Sequence, residues 1–145
     1  MKIRNILATK KGHLITIRGD ESIRRAIAML VENRIGALLV VDAAGGLIGI
    51  LSERDIVRTA AVDEQLFDRP VSEIMTRDVV VGMPQDDVIA VAHTMLEKRF
   101  RHLPIVDEGR LLAIISIGDV LKIQRDAYRG ELDTLETRII AEGEE

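Results

Sequence analysis

The sequence predicts an α/β (α+β) fold in which one βαββα unit occurs twice in tandem. The first observation is a repeated corner, where an apolar run ends in a serine and an aspartate follows three residues later. The serines, Ser52 and Ser116, are 64 residues apart, and the aspartates, Asp55 and Asp119, have the same separation. The second is that 47% of the 145 residues are hydrophobic, enough to fill the core of one compact domain or of two small packed halves.

The first half of the chain contains signals for a strand, a helix, two more strands and a second helix. Residues 14–17 are rich in β-branched side chains, which favour a strand. The polar triplet 20–22 supplies a helix start, after which apolar residues recur with the period of an amphipathic helix. The apolar run 37–41 predicts a strand buried on both faces, and a glycine-containing turn leads to its return strand at 47–51. Helical signals resume after Ser52.

The second half repeats this order at an offset of 65 residues, as the pair Leu38 and Leu103 illustrates. Its turn is one residue shorter, which explains the offset of 64 at the serines. Two halves this short bury too little surface separately, so we expect them to pack on each other. The expected elements are a short helix at 71–75, a strand at 79–81, a helix beginning at 84–87, paired strands at 103–106 and 111–115, and a helix after Ser116.

The helical pattern continues beyond the second repeat, with one apolar stripe formed by Tyr128, Leu132, Leu135 and Ile139. The stripe needs cover, either from this chain or from the same helix of a second chain. We favour the second chain, because the two-repeat core is complete without the stripe. The predicted division is repeat 1 at 1–62, a linker at 63–70, repeat 2 at 71–123, and a C-terminal amphipathic helix and tail at 124–145.

Composition excludes several classes of function. The net charge of −4 and the three aromatic residues argue against a nucleic-acid surface, which needs clustered cations and stacking rings. The absence of cysteine excludes a disulfide framework and a thiolate metal site, and the three histidines lack close ligand spacing. No apolar run reaches membrane-spanning length and no signal-peptide core follows the N-terminus, so we expect a soluble cytoplasmic protein.

The Ser-x-x-Asp corners have two interpretations. In one, the serine caps a helix and the aspartate completes the cap, each accepting a backbone N–H. In the other, the same helix start presents free N–H groups and a positive dipole to an anion, while the carboxylate accepts from the vicinal hydroxyls of a sugar. The pattern alone does not separate these interpretations, since one carboxylate can serve both.

A tandem βαββα repeat whose copies end in Gly-apolar-apolar-Ser-x-x-Asp resembles a pair of cystathionine-β-synthase (CBS) domains, the Bateman module. The resemblance covers about residues 1–123 and is closest to small stand-alone bacterial members. It implies two repeats packed with pseudo-two-fold symmetry. It also implies adenosine-containing ligands in two clefts between the repeats, with AMP the first expectation and ADP, ATP, S-adenosylmethionine or NAD as alternatives.

The same resemblance assigns roles to individual residues. Asp55 and Asp119 would hold ribose hydroxyls, and Ser52 and Ser116 would lie near ribose or phosphate. The first strand of each repeat would line the base, through Thr16 and Ile17 in the first repeat and Val81 and Gly82 in the second.

The resemblance also makes the two clefts unequal. Arg101 and His102 resemble a basic pair that touches phosphate in this family, and their first-half equivalents are Gly36 and Ala37. We therefore expect the second cleft, at Asp119, to bind a phosphorylated adenosine better. The alternative for Arg101 and His102 is a solvated helix end. Other differences are Ala113 at the position of Gly49, and Arg54 at the position of Gly118; Arg54 is either a phosphate ligand or a surface arginine.

Three classes of function follow. The first is a regulatory module that binds an adenine nucleotide and signals through a homodimer or an unknown protein target, with the dimer formed by the repeat faces, the C-terminal helix or both. The second is a ligand-independent dimerisation scaffold, in which the corners are only caps. An enzyme is not expected, because the sequence shows no nucleophile and base pair, metal cluster or phosphate-binding loop, and no catalytic cofactor is implied.

Overall fold

A computed structural model describes residues 1–10 and 14–128, and these form two small α/β units. Within them, no helix is long and apolar enough to cross a membrane. The first unit contains β1 (Thr16–Arg18), α2 (Ile23–Asn33), β2 (Ala37–Val41), β3 (Leu47–Ser52) and α3 (Glu53–Ala60). The second contains α4 (Val88–Lys98), β4 (His102–Asp107), β5 (Arg110–Ser116) and α5 (Ile117–Ala127). Helix α1 (Ile3–Thr9) precedes both units, and the 3₁₀ turns Leu66–Asp68 and Val71–Glu73 connect them.

The predicted order of elements is confirmed, with one strand reduced to a single bridge. In the first unit β1 runs parallel to β2, and β2 is antiparallel to β3. In the second unit β4 and β5 are antiparallel, and Gly82 forms a single parallel bridge with Ile105. The strand predicted at 79–81 is therefore wrong. Residues 79–81 form no bridge, and the pairing of Gly82 does not extend further along the chain, because a turn follows in which the Met83 N–H donates to the Asp86 carboxylate at 2.8 Å.

Helices α2 and α4 occupy equivalent positions and share their caps and buried faces. Ser22 accepts from the Arg25 N–H, and Asp87 accepts from the Ala90 N–H, each at 3.1 Å. Such caps satisfy backbone donors that the first helical turn leaves free. The residues buried with the predicted helical period are Ile23, Ala26 and Leu30 in α2, and Val88, Val91 and Met95 in α4.

The two hydrophobic cores exchange their entry segments. The core of the first unit includes Leu66, Val71 and Met75, which precede the second unit in the chain. The core of the second unit includes Ile3 and Ile6 of α1, which precede the first unit. Each unit is thus completed by the segment that leads into the other one.

Backbone hydrogen bonds hold both exchanged segments in place. The Ile3 N–H donates to the Asp86 carbonyl at 2.9 Å. In the same way, the Val71 N–H donates to the Glu21 carbonyl at 2.8 Å. Helix α1 was not predicted, because one apolar pair at Ile3 and Ile6 is too short a periodic signal.

The C-terminal helix, α5, ends at Ala127. Tyr128, the first residue of the predicted apolar stripe, is 56% exposed. The other three members, Leu132, Leu135 and Ile139, lie outside the described residues.

Candidate functional site

Both Ser-x-x-Asp corners lie where a strand passes directly into a helix. At the first, the Asp55 carboxylate accepts from the Ser52 N–H at 2.9 Å, and the Ser52 hydroxyl accepts from the Asp55 N–H at 3.3 Å. At the second, the bonds between Ser116 and Asp119 have lengths of 2.8 and 3.1 Å. The capping interpretation is therefore correct at both corners. Each carboxylate still has lone pairs beyond the one used in the cap.

A cleft of about 800 Å³ opens at the first corner and is lined by both repeats. The corner itself contributes Ser52, at the end of β3, and Asp55, in the first turn of α3. The segment leading into the second unit contributes Thr76 and Val80, and Phe100 comes from the connection between α4 and β4. The cleft therefore combines a carboxylate acceptor with apolar lining. These two surfaces match the hydroxyl groups and the flat base of a nucleoside.

The wall of this cleft is basic although the chain is acidic overall. Five permanent cations line it, against the three carboxylates Glu53, Asp55 and Asp78. None of the five has a carboxylate within 4 Å among the described residues. The cations are Arg54, Arg58, Lys98, Arg99 and Arg101. Guanidinium and ammonium groups gathered in a concave surface favour an anionic ligand.

His102 adds a titratable group to the same wall. Burial lowers the pKa of His102 below its ordinary value, and this effect outweighs the nearby Glu53 carboxylate, which raises the pKa. Lys10 and Arg101 lower the pKa further, whereas Asp119 raises it. The imidazole is therefore neutral at neutral pH and can both donate and accept a hydrogen bond.

Gly36 lies beside this ring at the boundary between the repeats. A side-chain carbon added at Gly36 would lie 3.4 Å from His102 ring atoms and 3.1 Å from the Glu53 carboxylate. Gly36, the first-repeat equivalent of Arg101, therefore lies against a side chain of the second repeat.

The Asp55 carboxylate also accepts a hydrogen bond from the Thr76 hydroxyl, at 3.0 Å. Thr76 is held there by two backbone hydrogen bonds with Ile50, of 2.8 and 3.0 Å. This close approach requires glycine at position 49, because an added carbon would lie 2.5 Å from the Met75 sulfur and 2.9 Å from the Thr76 carbonyl oxygen. Gly49 thus allows the Thr76 hydroxyl to reach the Asp55 carboxylate of the same motif.

At the second corner, the Asp119 carboxylate forms an ion pair with Lys10, which lies near the N-terminus. The Lys10 ammonium lies 2.6 Å from the Asp119 carboxylate. Burial raises the pKa of Asp119, but hydrogen bonds from Lys10 and Ser116 outweigh it, so the pKa lies below its ordinary value. Asp119 lines neither the large cleft nor the smaller cavity described below.

The basic pair lies on a different cleft from the one expected. The large cleft contains Arg101 and His102 together with Asp55, and it does not contain Asp119. The expectation that this pair serves the second corner is corrected, because the start of β4 faces α3 of the other repeat. His102 still pairs with Ser116 in the strand register, so the pair lies between the two corners but opens toward the first.

The residues expected to line the base are also distributed differently. Val81 and Gly82 line a smaller cavity of about 230 Å³ that adjoins the large cleft through Val80 and Phe100. Ile17 is 4% exposed in the first core, and neither Ile17 nor Thr16 lines either cavity.

Sequence reasoning missed several lining residues of the large cleft. Arg58, Lys98 and Arg99 were not proposed, nor were Thr76 and Asp78. A usable signal was the run of four basic residues within 98–102. Another was the i, i+4 spacing of the two α3 arginines, which places both on one helix face.

A family model described as the CBS domain matches residues 3–61 and, a second time, residues 71–126. The chain belongs to the CBS-domain family. Its mixed α/β fold, with one repeat following the other and α5 at the C-terminal end of the described part, is that of a CBS-domain pair.

Curated relatives in this family are similar over most of the chain. An uncharacterized protein of Methanocaldococcus jannaschii is 34% identical over 111 residues, which are 77% of this chain and 39% of that protein. An uncharacterized 17.7 kDa protein of Acidianus ambivalens is 33% identical over 128 residues, 88% of this chain and 75% of that protein. The CBS-domain chain thus spans well under half of the first relative and most of the second.

Solved structures of CBS-domain proteins superpose closely. One from Agrobacterium tumefaciens is 36% identical with a TM-score of 0.81, covering 85% of this chain and 92% of that one. A CBS domain pair in complex with 5′-methylthioadenosine and S-adenosyl-L-methionine is 27% identical with a TM-score of 0.76, covering 88% and 98%. The protein CBSX2 in complex with AMP is 25% identical with a TM-score of 0.75 and the same coverage.

Proposed function

We propose that this CBS-domain pair is a regulatory module that binds an adenosine-containing nucleotide in the cleft at Asp55. The observation that carries the proposal is the composition of the cleft, where a carboxylate at a helix start faces five cations drawn from both repeats. AMP is the first expected ligand, and ADP, ATP and NAD are alternatives. Related pairs solved with AMP or with S-adenosyl-L-methionine support an adenosine ligand.

The geometry suggests how the ligand is held. Vicinal ribose hydroxyls donate to Asp55, and one of them replaces the Thr76 hydroxyl that Asp55 now accepts at 3.0 Å. This exchange substitutes one neutral donor for another, so it costs little. The phosphate lies toward Arg54 and Arg101, whose guanidinium groups form charge-assisted hydrogen bonds with phosphate oxygens. The apolar side chain of Val80 covers part of the base.

Regulation follows from the sharing of the cleft between repeats. A ligand that contacts α3 of one repeat and β4 of the other favours the arrangement of the repeats in which it can contact both walls of the cleft at once. A ligand shifts such an equilibrium only by its difference in affinity for the two arrangements. The nucleotide therefore acts as a clamp between the repeats.

The signal passes to a second copy of the chain or to an unidentified protein target. Large apolar side chains on the outer faces of α2 and α4 support a homodimer through these faces, since they are more exposed than a monomer surface requires. Val31 is 72% exposed, Ile89 67% and Leu96 71%. The C-terminal helix is a further candidate for the same contact. These exposed faces also favour the second candidate function, a ligand-independent scaffold.

Isothermal titration of AMP, ADP, ATP and NAD into the full chain tests the proposal. Asp55→Asn keeps a polar side chain at the cap but removes the negative charge of the carboxylate that accepts hydrogen bonds from the ribose hydroxyls. Since a hydrogen bond to a charged group contributes about 1.5–3 kcal/mol, we expect the affinity for the bound nucleotide to fall by about tenfold to a hundredfold.

Asp107→Asn, at the end of β4 and away from the cleft, is the matched control and should leave the affinity unchanged. Melting temperatures of both variants check that they fold. If no nucleotide at millimolar concentration binds or raises the melting temperature of the wild-type chain, the scaffold function is favoured. Dimerisation that persists in Asp55→Asn without ligand would favour it further.

A further inference from the structure

We infer that Lys10 acts as an internal occupant of the second corner, so that the chain binds one nucleotide at Asp55 and admits a second at Asp119 only when the Lys10 contact opens. The inference rests on the proposed function of the first cleft. It also accounts for an asymmetry between two corners that are otherwise alike: both have the same Ser-x-x-Asp capping box, at equivalent positions in the two repeats.

What differs is the group that contacts each carboxylate. Asp55 accepts from a neutral hydroxyl, that of Thr76, at 3.0 Å. Asp119 accepts from an ammonium, that of Lys10, at 2.6 Å. A ribose hydroxyl replaces the first donor with another of its own kind. At the second corner a neutral hydroxyl has to displace a cation from a carboxylate, so the attraction between two opposite charges is lost along with the hydrogen bond.

The Lys10 contact is only partly shielded from solvent. The side chains of Lys10 and Asp119 are 34% and 25% exposed, respectively. Partly buried ion pairs are screened by salt much less than exposed ones. The lowered pKa of Asp119 is consistent with a carboxylate that is held in its charged form by this pair.

The backbone fixes Lys10 at this place. Lys10 is the C-cap of α1, and its N–H donates to the Ile6 carbonyl at 2.9 Å. Ile6 and Ile3 are buried in the core of the second unit, which contains α5. The lysine that covers the second corner is therefore attached to the segment that completes the same repeat.

The cations available at the two corners agree with this division. The first corner has Arg54 at the start of α3, and its equivalent at the second corner is Gly118. Arg101 lines the first cleft, and its equivalent in the first repeat is Gly36. Thus the first corner retains cations for a ligand's phosphate, whereas Lys10 at the second corner is engaged by Asp119 itself.

Isothermal titration with AMP as the probe tests the inference by counting sites in the wild-type chain and in Lys10→Met. We expect one AMP per wild-type chain and a second, weaker equivalent in Lys10→Met. Lys122→Met, on the exposed side of α5, is the matched control and should bind as the wild type does. Lys10→Arg retains the cation and should also keep a single site. Circular dichroism confirms that each variant folds.

Asp119 variants complete the design. In the wild-type background, Asp119→Asn should leave AMP binding at one equivalent per chain, because Asp119 does not line the cleft at Asp55. In the Lys10→Met background, the same substitution should remove the second site. Two results would overturn the inference and leave the proposed function intact. One is two equivalent AMP sites in the wild-type chain, and the other is a single site in a folded Lys10→Met chain that still binds AMP at Asp55.

Failure of the proposed function has a different signature. AMP binding that is unaffected by Asp55→Asn overturns the assignment of the first cleft. If Lys10→Met nevertheless gains a site that Asp119→Asn removes, the role of Lys10 stands without the first cleft. Absence of AMP binding in every folded variant overturns both.

Discussion

Asp55 carries two hydrogen-bonding tasks through different oxygens of one carboxylate. Its Oδ2 atom accepts from the Ser52 backbone, as a helix cap does, and its Oδ1 atom accepts from the Thr76 hydroxyl across the repeat boundary. The cap fixes the orientation of the carboxylate before any ligand arrives. A preoriented acceptor loses less conformational freedom on binding than a mobile one. The capping and ligand-binding interpretations of the motif are therefore compatible.

His102 should make stability depend on pH near neutrality. Because burial lowers its pKa in the folded chain, the unfolded chain binds a proton at a higher pH than the folded chain does. The stability associated with neutral His102 is fully present above its unfolded pKa of about 6.5 and is lost as pH falls below it. The wild-type melting temperature should therefore fall more steeply than that of His102→Gln between about pH 7.5 and pH 5.5.

His93→Gln is the control for this measurement, because His93 is an exposed side chain on α4 whose contact with Glu97 is 3.5 Å long. It should follow the wild-type pH profile. Parallel profiles for wild type and His102→Gln would show that the neutral state of His102 does not contribute to stability.

At the scale of the element, the β3 strand and the segment after the second 3₁₀ turn set the shape of the cleft together. Gly49→Ala should destabilise the chain by about 1–3 kcal/mol, because overpacking against a fixed backbone forces it to shift. The shift moves Thr76, so the variant should also alter nucleotide affinity at Asp55. Chemical denaturation and AMP titration measure the two effects.

Gly118→Ala is the matched glycine control for this prediction. A carbon added there meets only the Ser116 hydroxyl at 3.5 Å, an ordinary contact, within the first turn of α5. Since alanine favours helix over glycine by about 1 kcal/mol, this variant should be neutral or slightly more stable. Equal losses at the two glycines would contradict the special role of position 49.

Local patterns predicted the repeated elements well, because periodicity and caps are properties of neighbouring residues. The α2 start at Ser22, the buried strand at 37–41 and both Ser-x-x-Asp corners depend on nothing distant. The grouping of residues around the clefts was predicted wrongly for a nonlocal reason. The exchange of entry segments brings Thr76 to the first repeat's aspartate, and the packing of the two repeats brings Arg101 to the same cleft. No local pattern records either contact.

At the scale of the whole molecule, the exchanged segments join two small units into one cooperative structure. Neither core is complete within its own βαββα unit, since each needs apolar side chains that precede the other unit. The segment that connects the repeats is itself packed into the first core, and it holds in place a cleft lined by both repeats. The same arrangement lets a ligand in the cleft affect the entire chain.

Cooperative unfolding follows from this exchange and can be tested with two core truncations. Ile3→Ala removes a fully buried side chain from the second core, and Leu66→Ala does so in the first. Each should cost about 2–5 kcal/mol, as large-to-small core substitutions do. Because the units share their entry segments, each variant should lower hydrogen-exchange protection in both β2 and β4 and retain a single unfolding transition.

Val62→Ala, at a side chain that is 86% exposed, is the control and should change the free energy of unfolding by less than about 0.5 kcal/mol. Two separate transitions, with protection lost only in the truncated unit, would mean that the repeats fold independently and that a nucleotide between them acts on a loose pair.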